Sequence, residues 1–120
     1  MTTKSLLYIV TKSPYSSAVG QEALDAALIG ASFDHKVSLL FIHDGVFQLK
    51  SNQDTSGTQL KQFTKAYSAL EDFGIEQILC HDLAMLARGM RQDHLMRAVT
   101  VASTEQVRTM IAESDRVFTF

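Results

Sequence analysis

The sequence predicts an α/β domain with a parallel sheet carrying helices on both faces, and three observations predict it. Leu6-Leu7-Tyr8-Ile9-Val10 is a compact β-type run, and Val37-Ser38-Leu39-Leu40-Phe41-Ile42 is apolar without in/out alternation, as suits a strand covered on both sides. Strand-like and helix-like patterns alternate along the chain, which calls for right-handed βαβ crossovers. Ser51 to Gly57 is the only polar, loop-like segment, too short for a domain boundary, so residues 1–120 read as a single domain.

Each element has its own signal. Leu6–Val10 is the first strand, and the link Thr11 to Ser17 after it holds the only proline. Ser13 can cap a helix with Pro14 at its first position, or Ser16 or Ser17 can cap it slightly later. That helix runs to about Ser32, with Ala23, Ala26, Ala27 and Gly30 as a small face that permits close approach to a sheet. The second strand starts at Val37 and breaks at Asp44-Gly45, a pair suited to positive φ and a sharp turn. Val46, Phe47 and Leu49 follow at once, and apolar side chains there must be buried by this chain's helices or by another chain.

Leu60, Phe63, Tyr67 and Leu70 recur at helical spacing and predict an amphipathic helix ending near Gly74. Ile75 to Cys80 is a third strand, Asp82 to Ala87 a compact helix stopped at Gly89, and Ala98 to Ala102 a fourth strand. Ser103-Thr104-Glu105-Gln106 carries the capping-box pattern ahead of Val107, Met110 and Ile111, and Val117 to Phe120 is a fifth strand.

Composition narrows function. The 120 residues are 46% hydrophobic and 20% charged with a net charge of −2, which gives no electrostatic reason for direct nucleic-acid binding. The longest apolar runs fall far short of the roughly 20 residues that cross a bilayer. No cleavage-site pattern follows the N-terminus, so no signal peptide is expected, and a lone cysteine fits a reducing cytoplasm.

In such folds ligands sit beyond the carboxyl ends of the strands. There lie Ser13 to Ser17, His43-Asp44-Gly45, Cys80-His81-Asp82 and Ser103-Thr104. The serine-rich loop suits either plain capping or phosphate binding in a small flavin- or phosphate-binding, flavodoxin-like protein. No Gly-x-Gly-x-x-Gly or Walker lysine accompanies it. His43, His81, Cys80, Asp44 and Asp82 lack metal-site spacing, and no nucleophile elbow supports a Ser-His-Asp triad. His35 and His94 read as solvated surface residues. Cys80 beside a helix N-terminus is either a lowered-pKa nucleophile and persulfide carrier or a small buried residue ending its strand.

Several segments together resemble the TusC/DsrF-like subunits of bacterial sulfur-relay complexes (TusBCD and DsrEFH-like). They are Leu7-Tyr8-Ile9-Val10 with Ser13-Pro14-Tyr15, Gly20 to Leu28, Phe41-Ile42-His43-Asp44-Gly45-Val46-Phe47-Gln48-Leu49, Phe73 to Gln77, and Leu86-Ala87-Arg88-Gly89. The resemblance covers essentially the whole chain. It implies a three-layer α/β/α fold with a five-stranded, mainly parallel sheet, and a cytoplasmic heterohexamer, a dimer of heterotrimers, with TusB-like and TusD-like subunits. It implies a non-catalytic part, without cofactor or metal, in passing persulfide sulfur toward 2-thiolation of the tRNA wobble uridine.

In TusD-like relatives the relay cysteine lies seven residues before the arginine of an Arg-Gly pair. Counting back seven from Arg88 reaches His81, with Cys80 one residue earlier. A one-residue slip turns a strand side chain to the other face, which counts against Cys80 as a carrier. The resemblance also makes Val46, Phe47, Gln48 and Leu49 the expected contact with a neighbouring subunit, since apolar patches near strand ends mark interfaces.

Overall fold

The computed structural model describes residues 4–13, 19–49, 75–94 and 99–120. The predicted helix over Leu60 to Leu70, the loop Ser51 to Gly57, and Pro14 to Ser17 lie outside the described residues. Five strands form one sheet: β1 (Ser5–Val10), β2 (Lys36–Phe41), β3 (Ile75–His81), β4 (Thr100–Ala102) and β5 (Arg116–Thr119). Their spatial order is β4-β3-β2-β1-β5 and every neighbouring pair is parallel. The expected fold class is therefore present, with an entirely parallel sheet.

Helix α1 (Val19–Ser32) joins β1 to β2, α2 (Asp82–Ala87) follows β3, and α3 (Thr104–Glu113) joins β4 to β5. Right-handed crossovers explain the layering. From β1 to β4 each step moves the same way across the sheet, which puts α1 and α2 on one face, whereas the return to β5 puts α3 on the other.

The core divides accordingly. Leu6, Tyr8, Val10, Leu39, Phe41, Ile78 and Cys80 pack with Ala23, Leu24 and Ala27 of α1 and Ala84 and Met85 of α2. Leu7, Ile9, Leu40 and Leu79 pack with Val107 and Met110 around α3. Leu7, Leu39, Leu40 and Phe41 are fully buried, each contributing about 1.5–3 kcal/mol relative to exposure.

A register shift assigns the faces of β3. Ser38 of β2 pairs with Gln77 where Val37 paired with Ile75, so one residue is skipped. Ile75 and Ile78 thereby share the α1 face, and Cys80 falls on that face too.

The exit from β2 departs from the expected turn. Val46, Phe47 and Leu49 belong to a two-turn 3-10 helix, His43–Leu49, and the positive φ is at His43 (50°), not at Gly45. Glycine is required at position 45 for space. A Cβ there would stand 2.0 Å from the Val10 carbonyl oxygen, inside contact distance of backbone that has no freedom to give way. Gly45 N–H donates to the Ile42 carbonyl, and Ile42 N–H to the Val10 carbonyl, so the 3-10 helix starts flush against the end of β1. At Gly89 the reason is conformational: φ is +67° and an added Cβ would meet nothing within 4 Å.

The start of β5 is held by Asp115. Its carboxylate accepts from the Ser5 N–H (2.8 Å) and the Ser5 hydroxyl (3.2 Å). The Ser5 backbone hydrogen bond first, then the hydroxyl, hold the Asp115 carboxyl below the usual range.

Two predictions follow from these contacts. Gly45→Ala is expected to destabilise the fold by at least about 2 kcal/mol in urea unfolding, because the 3-10 helix must lift from β1, while Gly89→Ala costs about 1 kcal/mol for its φ alone. A depressed carboxyl favours folding above the ordinary aspartate pKa and loses that contribution as pH falls through the lower folded value. Asp115→Asn should therefore show a shallower acid decline in unfolding midpoint than the parent chain.

Candidate functional site

The carboxyl ends of the strands gather Thr11 and Lys12 after β1, His43 and Asp44 after β2, His81 and Asp82 after β3, and Ser103 and Thr104 after β4. Connections from the adjacent strands β3 and β4 leave to opposite faces, the chain to α2 on one and to α3 on the other. That is the switch point where open α/β sheets place ligands. A hydrogen bond of 2.8 Å between His81 Nε2 and Thr104 Oγ1 spans it. Asp82 Oδ1 lies 3.8 Å from the same His81 nitrogen and accepts the Leu83 N–H at 2.6 Å.

Local sequence explains why these groups are fixed. His81 ends β3 with extended backbone and is also the N-cap of α2, so its ring is set by a strand and a helix together. Thr104 is the first residue of α3, whose capping box is complete: Ser103 Oγ accepts from the Gln106 N–H, and Gln106 Oε1 accepts from the Ser103 N–H. The site thus offers an imidazole, a hydroxyl and a carboxylate, a set that can exchange protons and hydrogen-bond a ligand but supplies no thiol.

Cys80 is absent from this rim. It is 0% exposed, packed in the layer beneath α1 and α2, and burial pushes its thiol up to about 12. At neutral pH the thiol is then held in its protonated, unreactive form.

The segment Val46–Leu49, the expected contact with a neighbouring subunit, packs largely against the chain itself. Val46, Gln48 and Leu49 are buried, and only Phe47, half-buried against the same core, keeps accessible surface. The physical reason is the 3-10 winding, which turns Val46 and Leu49 together onto the sheet. Gln48 reaches back across the carboxyl end of β1, its Nε2 donating to the Lys12 carbonyl at 3.0 Å, while its buried Oε1 has no partner among the described residues.

Arg88 closes the other side of this rim. Its Nε donates to Asp44 Oδ1 at 2.9 Å and its Nη1 to the Ala84 carbonyl at 3.2 Å, tying the end of α2 to the 3-10 helix. Neither the Arg88–Asp44 pair nor the His81–Thr104 bond is indicated by spacing, since each joins residues far apart in sequence. The capping box that orients Thr104 was the one available sign. His35 Nδ1 accepts from the Lys4 N–H at 3.2 Å, so it is a structural partner of the chain. Among the described residues no group of three or more His, Cys, Asp or Glu side chains is placed to hold a metal ion, and no helix is long and apolar enough to cross a membrane.

Known proteins agree with this architecture. The model of the DsrE/DsrF-like family matches residues 4–120. The chain is 36% identical to the intracellular sulfur oxidation protein DsrF of Allochromatium vinosum, covering 98% of this chain and 96% of that one. It is 35% identical to the TusC homolog of Pseudomonas aeruginosa, over 97% and 98% respectively. The crystal structure of the YchN protein from E. coli superposes with a TM-score of 0.80 at 16% identity, covering 98% of this chain and all of that one, and so shares the fold. With a family match over residues 4–120 and near full-length likeness to these relatives, the chain belongs to the DsrE/DsrF-like family.

Proposed function

We propose that this chain is a non-catalytic structural subunit of a cytoplasmic sulfur-relay complex, one that passes persulfide sulfur for 2-thiolation of the tRNA wobble uridine. Its partners are TusB-like and TusD-like subunits in a heterohexamer, and the reactive cysteine lies on a partner. The observation that carries this reading is the position of Cys80, sealed beneath the helices with its thiol pushed up to about 12. A persulfide carrier needs an exposed, readily ionised sulfur. The likeness to a TusC homolog supports the choice of complex, and Phe47 is the residue of the Val46–Leu49 segment still available to touch a neighbour.

A second reading has its own support. The 36% identical relative is named for intracellular sulfur oxidation, so the same scaffold role in a sulfur-oxidising complex is the competing assignment. Deleting the gene and measuring 2-thiouridine in digested tRNA by mass spectrometry separates the two. Loss of the thiolated nucleoside is expected. Normal 2-thiouridine with impaired sulfur oxidation would favour the second reading.

The subunit role makes two further predictions. Co-expression with TusB-like and TusD-like chains should yield one assembly by size measurement, and a chain that never co-purifies with them would contradict the reading. In alkylation with iodoacetamide at pH 8, Cys80 should stay unmodified in the native protein and react fully once urea unfolds it. Equal rates in both states would show an accessible Cys80 and contradict the burial on which this reading rests.

A further inference from the structure

The β5 edge of the sheet is built to accept another strand. Parallel pairing fixes which main-chain groups of β5 are used. Phe120 N–H donates to the Ile9 carbonyl and the Phe120 carbonyl accepts from Thr11 N–H, so Phe120 spends both its groups on β1. The pairing Tyr8↔Phe118 continues this alternation. Val117 and Thr119 therefore turn their N–H and C=O outward, and all four residues of β5 are exposed.

Natural edges are usually protected by proline, lysine or a bulge. Here the sequence is Arg116-Val117-Phe118-Thr119, with a regular register to β1 and a single charge at its start. Val117 is 39% and Phe118 43% exposed, one on each face of the sheet. Phe118 is also the outer member of an aromatic stack, its ring centroid 5.1 Å from that of Tyr8 at an interplanar angle of 19°.

We infer that β5 pairs antiparallel with β5 of a second copy of this chain across a two-fold axis at Phe118. In that register Val117 faces Thr119 of the other copy and the reverse, so every outward N–H and C=O of both residues is used, in four hydrogen bonds. Phe118 meets its own counterpart as the close, non-hydrogen-bonded pair, which extends the Tyr8–Phe118 stack across the axis. On the other face Val117 lies beside Thr119, both β-branched. Arg116 falls opposite Phe120, so no like charges meet. A strand so closely complementary to itself commits the edge to a second copy and joins two sheets into one of ten strands.

A single strand pairing buries little beside the roughly 1,600 Å² of standard interfaces, so the association is expected to depend on concentration. The inference rests on β5 alone and stands apart from the sulfur-relay reading. Its test is sedimentation equilibrium of the full chain over a concentration series, with the parent, Val117→Pro and Val117→Ala compared. Val117→Pro removes an outward donor and leaves the bonds to β1 in place, since edge strands tolerate proline where the N–H faces solvent. The parent and Val117→Ala should reach twice the chain mass at high concentration, while Val117→Pro stays at one.

Hydrogen exchange of the parent gives a readout that does not need the variant to fold. The Val117 and Thr119 amides should become protected as concentration rises. A parent that remains monomeric, or those two amides exchanging at the same rate at all concentrations, overturns the inference. Protection that appears only on adding a partner subunit overturns it as well, because the edge then belongs to that subunit's strand.

Discussion

The contact on which the rest of the structure depends is the approach of Gly45 to the Val10 carbonyl oxygen. There is no room there for a single additional carbon. Because the backbone can come so near, the chain leaving β2 winds back over the end of β1 and does not run out into solvent. Three consequences follow from that one approach. Val46 and Leu49 complete the α1-side core, Gln48 binds the Lys12 carbonyl across the end of β1, and Asp44 is presented to Arg88 at the end of α2. The carboxyl rim of the sheet is thereby braced at two points, by Gln48 and by the Arg88–Asp44 pair.

At the β3–β4 switch point the rim has a different character. His81 and Thr104 meet there, while the neighbouring cysteine points into the core. The register shift at the start of β3 sets this division, because skipping one residue places Ile75, Ile78 and Cys80 on a common face. A single-residue alternation along β3 thus separates a buried thiol from a rim imidazole. The chain's one cysteine is thus packed beneath the helices while an imidazole stands on the rim.

Much of the fold was legible because its signals are local. A compact β-type run marks β1 and an unbroken apolar run marks β2 as a central strand, and both are buried on two faces. The capping box placed the start of α3 correctly. At the exit from β2 the pair Asp44-Gly45 suggests positive φ and a sharp turn, because Asp-Gly has conformational freedom. The true demand on Gly45 is steric, set by a strand over thirty residues earlier, and no local pattern reports it. Nor does a local pattern report that Val46 and Leu49 pack onto this chain's own sheet. Alternation of the β3 side chains foretells that Cys80 and His81 face apart, whereas the His81–Thr104 and Arg88–Asp44 contacts are tertiary.

The central claim is that this chain shapes a sulfur-transfer assembly without carrying sulfur. Its most direct test replaces Cys80 with alanine, a small change at a buried position, and measures sulfur transfer by the assembled complex. The account predicts transfer at the parent rate with assembly intact. Loss of transfer in a Cys80→Ala complex that still assembles and unfolds like the parent would contradict it.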